Sequence, residues 1–342
     1  MRVSQPIVKY MQHAYANLTP DQVLNTIDAL GLVCDGRLLA LNSYENRVYR
    51  VGLEPSDDLN APATVVAKFY RPNRWSDEQI LEEHRFTQLL AELEIPVVAP
   101  MTLKGHTLLK AGEFRLSLFP NRGGRAPDLE DFDQLTQFGR FIGRIHRASA
   151  AEPFVHRPTL DIETFGVQAR ETVLQSGYLP RELVSVYESL TSQLLTEAQM
   201  CYQRVPQVKL IRCHGDCHPS NVLWTEAGPH IVDFDDARMA PAIQDLWMFI
   251  AGDRADQTAA LDALLEGYTE FNEFDGAELH LIEALRTLRL IHYFGWLTKR
   301  WEDPAFKMAF PWFNTQNAWE EHILSLREQA AVLHEQPLAW FG

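Results

Sequence analysis

The stretch His214-Gly215-Asp216-Cys217-His218-Pro219-Ser220-Asn221, followed by Ile231-Val232-Asp233-Phe234-Asp235, is where residue types and spacing most directly imply chemistry. Between the two runs, Thr225-Glu226-Ala227-Gly228-Pro229 reads as the turn of a hairpin with strands over residues 222–224 and 230–233. A hairpin folded about Ala227 sets Asn221 opposite Asp233 at the open end of the ladder. An amide oxygen and a carboxylate converging there suit Mg²⁺, a hard cation that takes oxygen ligands and shares its shell with substrate phosphates. Asp216, on the loop entering the hairpin, is placed to accept the proton of an attacking hydroxyl while the metal offsets charge on a transferring phosphoryl group. Asp216 and Asp233 are thus the catalytic candidates, and Asn221 and Asp233 the metal ligands. Asp235 is left open as a further metal contact.

Upstream, Lys68 ends the apolar run Val65-Val66-Ala67 and faces a cleft rather than extending a core. A lysine so placed contacts the α- and β-phosphates of ATP and pairs with a glutamate of the next helix, where Glu82 and Glu83 both stand. The chain lacks both G-x-x-x-x-G-K-[ST] and G-x-G-x-x-G. In their place Ser43-Tyr44-Glu45-Asn46 occupies the turn between the first two strands, where Ser43 and Asn46 offer hydroxyl, amide and backbone donors to phosphate. Cys213, His214, Cys217 and His218 also offer zinc's preferred ligand types, but His230 stands alone downstream and no second Cys/His knuckle completes a site.

These groups need two kinds of scaffold. Runs rich in β-branched and aromatic residues, LLALNS, NRVYRVG and TVVAKFY, predict consecutive antiparallel strands from Leu38 onward. Ser76 then caps a helix on which Ile80, Leu81, Phe86, Leu89, Leu90 and Leu93 recur at helical spacing, ended by Pro96. Two further strands are expected over residues 101–109 and 113–119. Beyond the Arg122–Arg125 turn the periodicity predicts helices over 132–148, 180–202, 259–271, 277–298 and 318–334, interrupted only by the hairpin. The fold class is therefore α+β and bilobal, with a small β-rich N-lobe over residues 1–113, a hinge over 114–120 and a mainly helical C-lobe over 121–342.

At 342 residues the chain exceeds the ~100–200 of one ordinary domain, consistent with two lobes around a cleft. Its net charge of -15 repels nucleic acid and anionic lipid, so neither is an expected partner. The same charge predicts a preference for basic sequence around a protein target. The N-terminus lacks an apolar leader and residues 246–251 are too short to cross a bilayer, which predicts a cytoplasmic protein. Four cysteines are too few for a disulfide scaffold, so reduced thiols are expected. A monomer is the default.

In their order LNSYENRVYRV, VVAKFYRPNRW, QILEEHRF, HGDCHPSN and VDFDDA…PAIQDLW, these segments closely resemble the bacterial stress response kinase A family. That family lies in the aminoglycoside phosphotransferase and choline kinase-like branch of the protein kinase fold. The resemblance implies a Ser/Thr protein kinase of stress responses that uses ATP and Mg²⁺. It implies Asp216 as the base, Asn221 and Asp233 as Mg²⁺ ligands, Lys68 as the phosphate lysine and Glu83, rather than Glu82, as its partner. Ser43 is carried over as a phosphate-loop residue and residues 114–119 as the segment meeting adenine. His214 and Asp245 are carried over as supports of the catalytic loop. Two alternatives stand beside it. Only twelve positions separate Asp233 from Asp245, leaving little room for a long activation segment, which favours a small-molecule hydroxyl kinase. The other is a nucleotide-binding pseudokinase, against which the retained Lys68, Asp216, Asn221 and Asp233 argue.

Overall fold

Short runs of Val, Leu and aromatic residues separated by turns form a sheet when one face finds a cover. In the computed structural model, which describes Tyr15, residues 17–56 and residues 62–341, that cover is α1 (Pro20–Ala29), a helix not foreseen from the sequence. The strands are β1 (Cys34–Ala40), β2 (Arg47–Leu53), β3 (Thr64–Phe69), β4 (Leu109–Ala111) and β5 (Phe114–Pro120), in the spatial order β1-β2-β3-β5-β4 with every neighbour antiparallel. Val51, Val65, Ala67, Phe69, Leu116 and Leu118 pack with Val23 and Ile27 of α1 in one buried cluster. Side chains alternate across a strand. Lys68, between Ala67 and Phe69, therefore projects from the opposite face.

Behind that face runs α2 (Asp77–Glu92). Its start is capped reciprocally: the Gln79 amide donates to Ser76 Oγ at 3.2 Å and the Ser76 amide to Gln79 Oε1 at 2.9 Å. The helix stops at Glu92, before Pro96, and Glu94 turns the chain with a φ of 55°. Phe86 and Leu90 of α2 belong to the main core of the helical lobe, so this helix is held by both lobes.

The helical lobe comprises α3 (Phe132–Ser149), α4 (Gln168–Ser176), α5 (Arg181–Gln203), α6 (Arg254–Thr269), α7 (Ile282–Arg300), α8 (Pro304–Ala309) and α9 (Gln316–Val332). Helix α6 begins earlier than its periodicity suggested because Asp253 caps it, accepting from the amides of Ala255 and Asp256. The single helix expected over 277–298 divides into a 3₁₀ turn, Gly276–Leu281, and α7. Helices α3 and α6 approach so closely that a Cβ on Gly267 would lie 1.9 Å from the Thr136 carbonyl oxygen. A second core joins α4, α5, α7 and α9 around Tyr187, Phe294, Phe313 and Trp319.

Between α5 and α6 lies the small β island: β6 (Ile211–Cys213), β7 (Val222–Thr225), β8 (Gly228–Ile231) and β9 (Arg238–Ala240), paired β6–β9 and β7–β8. The hairpin register differs from the sequence expectation by one residue. Thr225 pairs with Gly228 across a two-residue turn, which sets Val222 opposite Ile231 and Asn221 beside Val232. Asp233 is thus not Asn221's ladder partner but the first residue beyond it. All four cysteines are free thiols, and no described helix is long and apolar enough to cross a membrane.

Candidate active site

The loop from β6 to β7 is shaped by buried hydrogen bonds. Gly215 has a φ of +84°, and a Cβ there would lie 2.3 Å from the Asp236 carbonyl oxygen, so only glycine lets the loop cross at this point. Asp245, fully buried, accepts from the backbone amides of His214 at 2.7 Å and Gly215 at 2.9 Å, and from His146 Nε2 at 3.1 Å. Burial alone would raise the Asp245 pKa, but the His146 hydrogen bond, the nearby imidazoles and the Gly215 amide hold it below the ordinary carboxylate value. His214 Nε2 donates to the Val232 carbonyl at 2.8 Å, while its Nδ1 accepts from the Asp216 amide at 3.3 Å. One imidazole therefore ties the loop carrying Asp216 to the strand end carrying Asp233.

Asp216 is half-buried at the mouth of this loop. Its Oδ1 accepts from Arg289 of α7 at 2.5 Å, and its Oδ2 lies 3.6 Å from His218 Nε2. Asn221 Nδ2 donates to the Asp216 carbonyl at 3.0 Å, which leaves the amide oxygen as its remaining acceptor. Asp233 leaves the ladder with φ 61° and ψ 62°, a left-handed conformation uncommon for a residue with a side chain and recurrent at functional sites. That twist turns its carboxylate, 49% exposed, into the cleft, where Oδ1 meets Lys68 Nζ at 2.8 Å. The amide oxygen of Asn221 and the carboxylate of Asp233 are hard donors, on adjoining strand ends, of the kind Mg²⁺ takes.

From the N-lobe, Lys68 reaches both Asp233 at 2.8 Å and Asp235 at 3.1 Å. Burial alone would lower the Lys68 pKa, but these two carboxylates hold it well above its ordinary value. The structure does not bring Glu83 into an ion pair with Lys68. Glu83 is buried beside His84, its carboxylate oxygen 3.7 Å from His84 Nε2, and burial pushes its pKa up to about 7. Glu82 has a different task, accepting from the amides of Val155, His156 and Arg157 at 2.6, 2.8 and 2.7 Å. Ser43 is partly exposed at its turn. The Asn46 side chain is committed: Nδ2 donates to Asp235 at 3.0 Å and Oδ1 accepts from the Arg71 amide at 3.1 Å.

Several residues at the cleft carried no sequence signal as site residues. Arg74 binds Asp235 and, at 2.8 Å, Asp236. Glu45 accepts from Arg300 at 2.7 Å and Trp296 Nε1 at 2.7 Å, and meets Arg71 at 3.2 Å, so the loop between β1 and β2 is fastened to α7. Asp235 is enclosed by Lys68, Arg74 and Asn46, whose ammonium, guanidinium and amide groups donate to its carboxylate. The only hint lay in composition. Three aspartates at 233, 235 and 236 demand nearby cations, and Arg71 and Arg74 follow directly on the strand of Lys68. Cys213 and Cys217 are fully buried in the main core. Cys213 clusters instead with His146 and Asp245, whose oxygens are already filled by backbone amides.

Residues 37–282 match the profile of the family described as "Phosphotransferase enzyme family". Among curated proteins, "Stress response kinase A" of Escherichia coli O157:H7 is 40% identical over 324 residues, covering 95% of this chain and 96% of its own. "Serine/threonine protein kinase RdoA" of Salmonella typhimurium strain LT2 is 39% identical with the same coverage. Of solved structures, an amicoumacin kinase in complex with AMP-PNP, Ca²⁺ and Ami superposes with a TM-score of 0.68 at 20% identity, covering 94% of this chain and 96% of its own. At this identity the likeness concerns the fold.

Proposed function

Since the chain belongs to the phosphotransferase enzyme family, in its stress response kinase A group, it is a kinase, and we propose that it moves the γ-phosphoryl group of ATP to Ser and Thr hydroxyls of protein targets. The observation that carries this reading is the meeting of Lys68, Asp233, Asn221 and Asp216 in one cleft, from elements far apart in the chain. Asp216 takes the hydroxyl proton. Asn221 and Asp233 would hold Mg²⁺, which would supply positive charge against the phosphates. Lys68 serves the α- and β-phosphates with Glu83 behind it, and Ser43 offers donors from the loop above. Residues 114–120, expected as the hinge that meets adenine, form β5 between β3 and β4, so adenine would meet the backbone at the exit of β5 and the division between the lobes falls after Pro120 rather than at 113. His214 and Asp245 hold the catalytic loop without touching substrate. A cytoplasmic location fits the same reading.

Protein as acceptor is supported by the name of the Salmonella relative. A second reading, a small hydroxyl compound as acceptor, is favoured by the short path from Asp233 to Asp245, which holds only β9 and two 3₁₀ turns. Incubation with γ-labelled ATP and Mg²⁺, alone and with an acidic and a basic test protein, decides between them. Mass spectrometry is expected to find phosphoserine or phosphothreonine that is absent with Asp216→Asn. Efficient labelling of an amino alcohol or aminoglycoside with no protein label above that control would overturn the protein reading and leave the cleft chemistry standing.

A further inference from the structure

The carboxylate assigned as the base is already engaged. Arg289 Nη1 lies 2.5 Å from Asp216 Oδ1, and its side chain is 45% exposed. Asp216 is its one ion-pair partner among the described residues. A guanidinium has five N–H donors in a planar fork, and this pair uses one of them. The other charges around Asp216 are committed elsewhere. Arg238 is bound to Asp236 at 2.7 Å, and Asp233 to Lys68. His218, at 3.6 Å from Asp216, adds no anion. The unsatisfied cationic donors beside the base therefore belong to Arg289. One turn along α7, Tyr293 is 38% exposed and stacks on Trp296 with ring centroids 5.8 Å apart, an aromatic ledge beside the guanidinium.

A neutral acceptor would have to draw Asp216 away from Arg289 and give the guanidinium nothing in return. An acceptor with an anion beside its hydroxyl resolves this, because that anion takes the free arm of the fork as the hydroxyl approaches the carboxylate. The net charge of -15 pointed instead to basic targets. Charges more than about 8 Å away are largely screened at physiological ionic strength, so a guanidinium on the base outweighs the distant surface.

We propose that Arg289 is a specificity-determining residue that selects acceptors carrying a carboxylate or phosphate next to the hydroxyl, in a protein an Asp, Glu or phosphoserine flanking the target Ser or Thr. This rests on the protein-kinase reading above and names its substrate class. The test uses one Ser peptide with acidic, neutral or basic flanks, together with small hydroxy acids and amino alcohols. Wild type is expected to favour the acidic flank by at least about tenfold in kcat/KM, the scale of a charge-assisted hydrogen bond. Arg289→Ala is expected to abolish that preference by raising KM for the acidic peptide far more than for the neutral one. Arg289→Lys keeps part of the preference, and Arg289→Glu turns it toward the basic flank. Titration with the unreactive peptides carrying Ala for Ser, in the presence of AMP-PNP and Mg²⁺, reads the same preference without turnover. Equal kcat/KM and equal binding across the flanks, or an Arg289→Ala loss shared by every acceptor, overturns the proposal. If peptides are not phosphorylated but small compounds are, the protein reading falls by itself. Hydroxy acids favoured over amino alcohols, with Arg289→Ala removing the difference, would still uphold the role of Arg289, and the opposite order would overturn it.

Discussion

The two sides of the cleft are held by different physics. The catalytic loop is fixed from beneath by Asp245, which satisfies two backbone amides and His146 inside the main core. The loop between β1 and β2 is fixed by buried ion pairs, Glu45 to Arg300 across the lobes and to Arg71 within its own lobe, while Arg74 beside it crosses to Asp235 and Asp236. Buried hydrogen bonds to backbone are costly to lose because nothing replaces them. Ion pairs shared among several partners can lose one partner without leaving the charge bare, and buried as these are, salt screens them little. Under the proposed function, the first arrangement suits a base held in place and the second a loop that admits and releases a nucleotide.

The largest effect is expected at Asp245. Asp245→Ala orphans two amides and an imidazole in the core and should cost about 3–5 kcal/mol, read by urea unfolding, with little dependence on salt. A cost under about 1 kcal/mol would mean that the loop is held by something else.

Glu83 sharpens the contrast through pH. Its carboxyl is pushed from 4.5 up to about 7 by burial. The folded state therefore binds this proton more tightly than the unfolded chain does. The stability it contributes is complete below pH 4.5 and is lost as pH rises through about 7, by up to about 3 kcal/mol. Glu278, also raised to about 7 by burial, titrates in the same window. Glu83→Gln should flatten part of the decline between pH 4.5 and 7 and leave the variant more stable than wild type at pH 8. Superimposable pH profiles would show that Glu83 is already ionised and paired.

The smallest effect is expected at Glu45. Glu45→Gln removes one member of a shared network while keeping an oxygen that accepts from Trp296 and Arg300, and Arg71 keeps Asp303 at 2.7 Å. A loss of about 1–2 kcal/mol is expected, together with faster release of a fluorescent ATP analogue. A loss as large as that at Asp245 would erase the distinction between the two sides.

Legibility in the sequence followed the same division. His214, Asp216, Asn221, Asp233 and Asp245 stand out in the sequence because their types and spacing match those of a phosphoryl-transfer site, and the fold gathers them around one loop and one strand end. Strands β2, β3 and β5 and the long helices were readable from period and caps, whereas α1, α4, β6 and β9 were not, and the strand expected over 101–109 is reduced to β4 at Leu109–Ala111. The hairpin register was not readable, because Thr225 and Gly228, both ordinary turn residues, are the last rung of the ladder. Asp233 reaches the cleft through a left-handed backbone that no pattern of apolar residues announces. Glu45, Arg74, Arg289 and Arg300 look in sequence like solvated charges. Their partners lie in the other lobe or on a distant helix, and only the assembled fold brings them together. Lys68 rests on Asp233 and Asp235 rather than on the expected Glu83.

The central claim is that Asp216 acts on the acceptor hydroxyl and not on ATP or on the fold. Its most direct test is single-turnover transfer from γ-labelled ATP in wild type and Asp216→Asn, with the thermal shift given by ATP plus Mg²⁺ measured on the same samples. Transfer should fall by about 10²–10⁴-fold, the usual worth of a positioned general base, while the nucleotide-dependent shift stays at its wild-type value. Wild-type transfer in Asp216→Asn, or loss of the shift along with the transfer, would contradict the account.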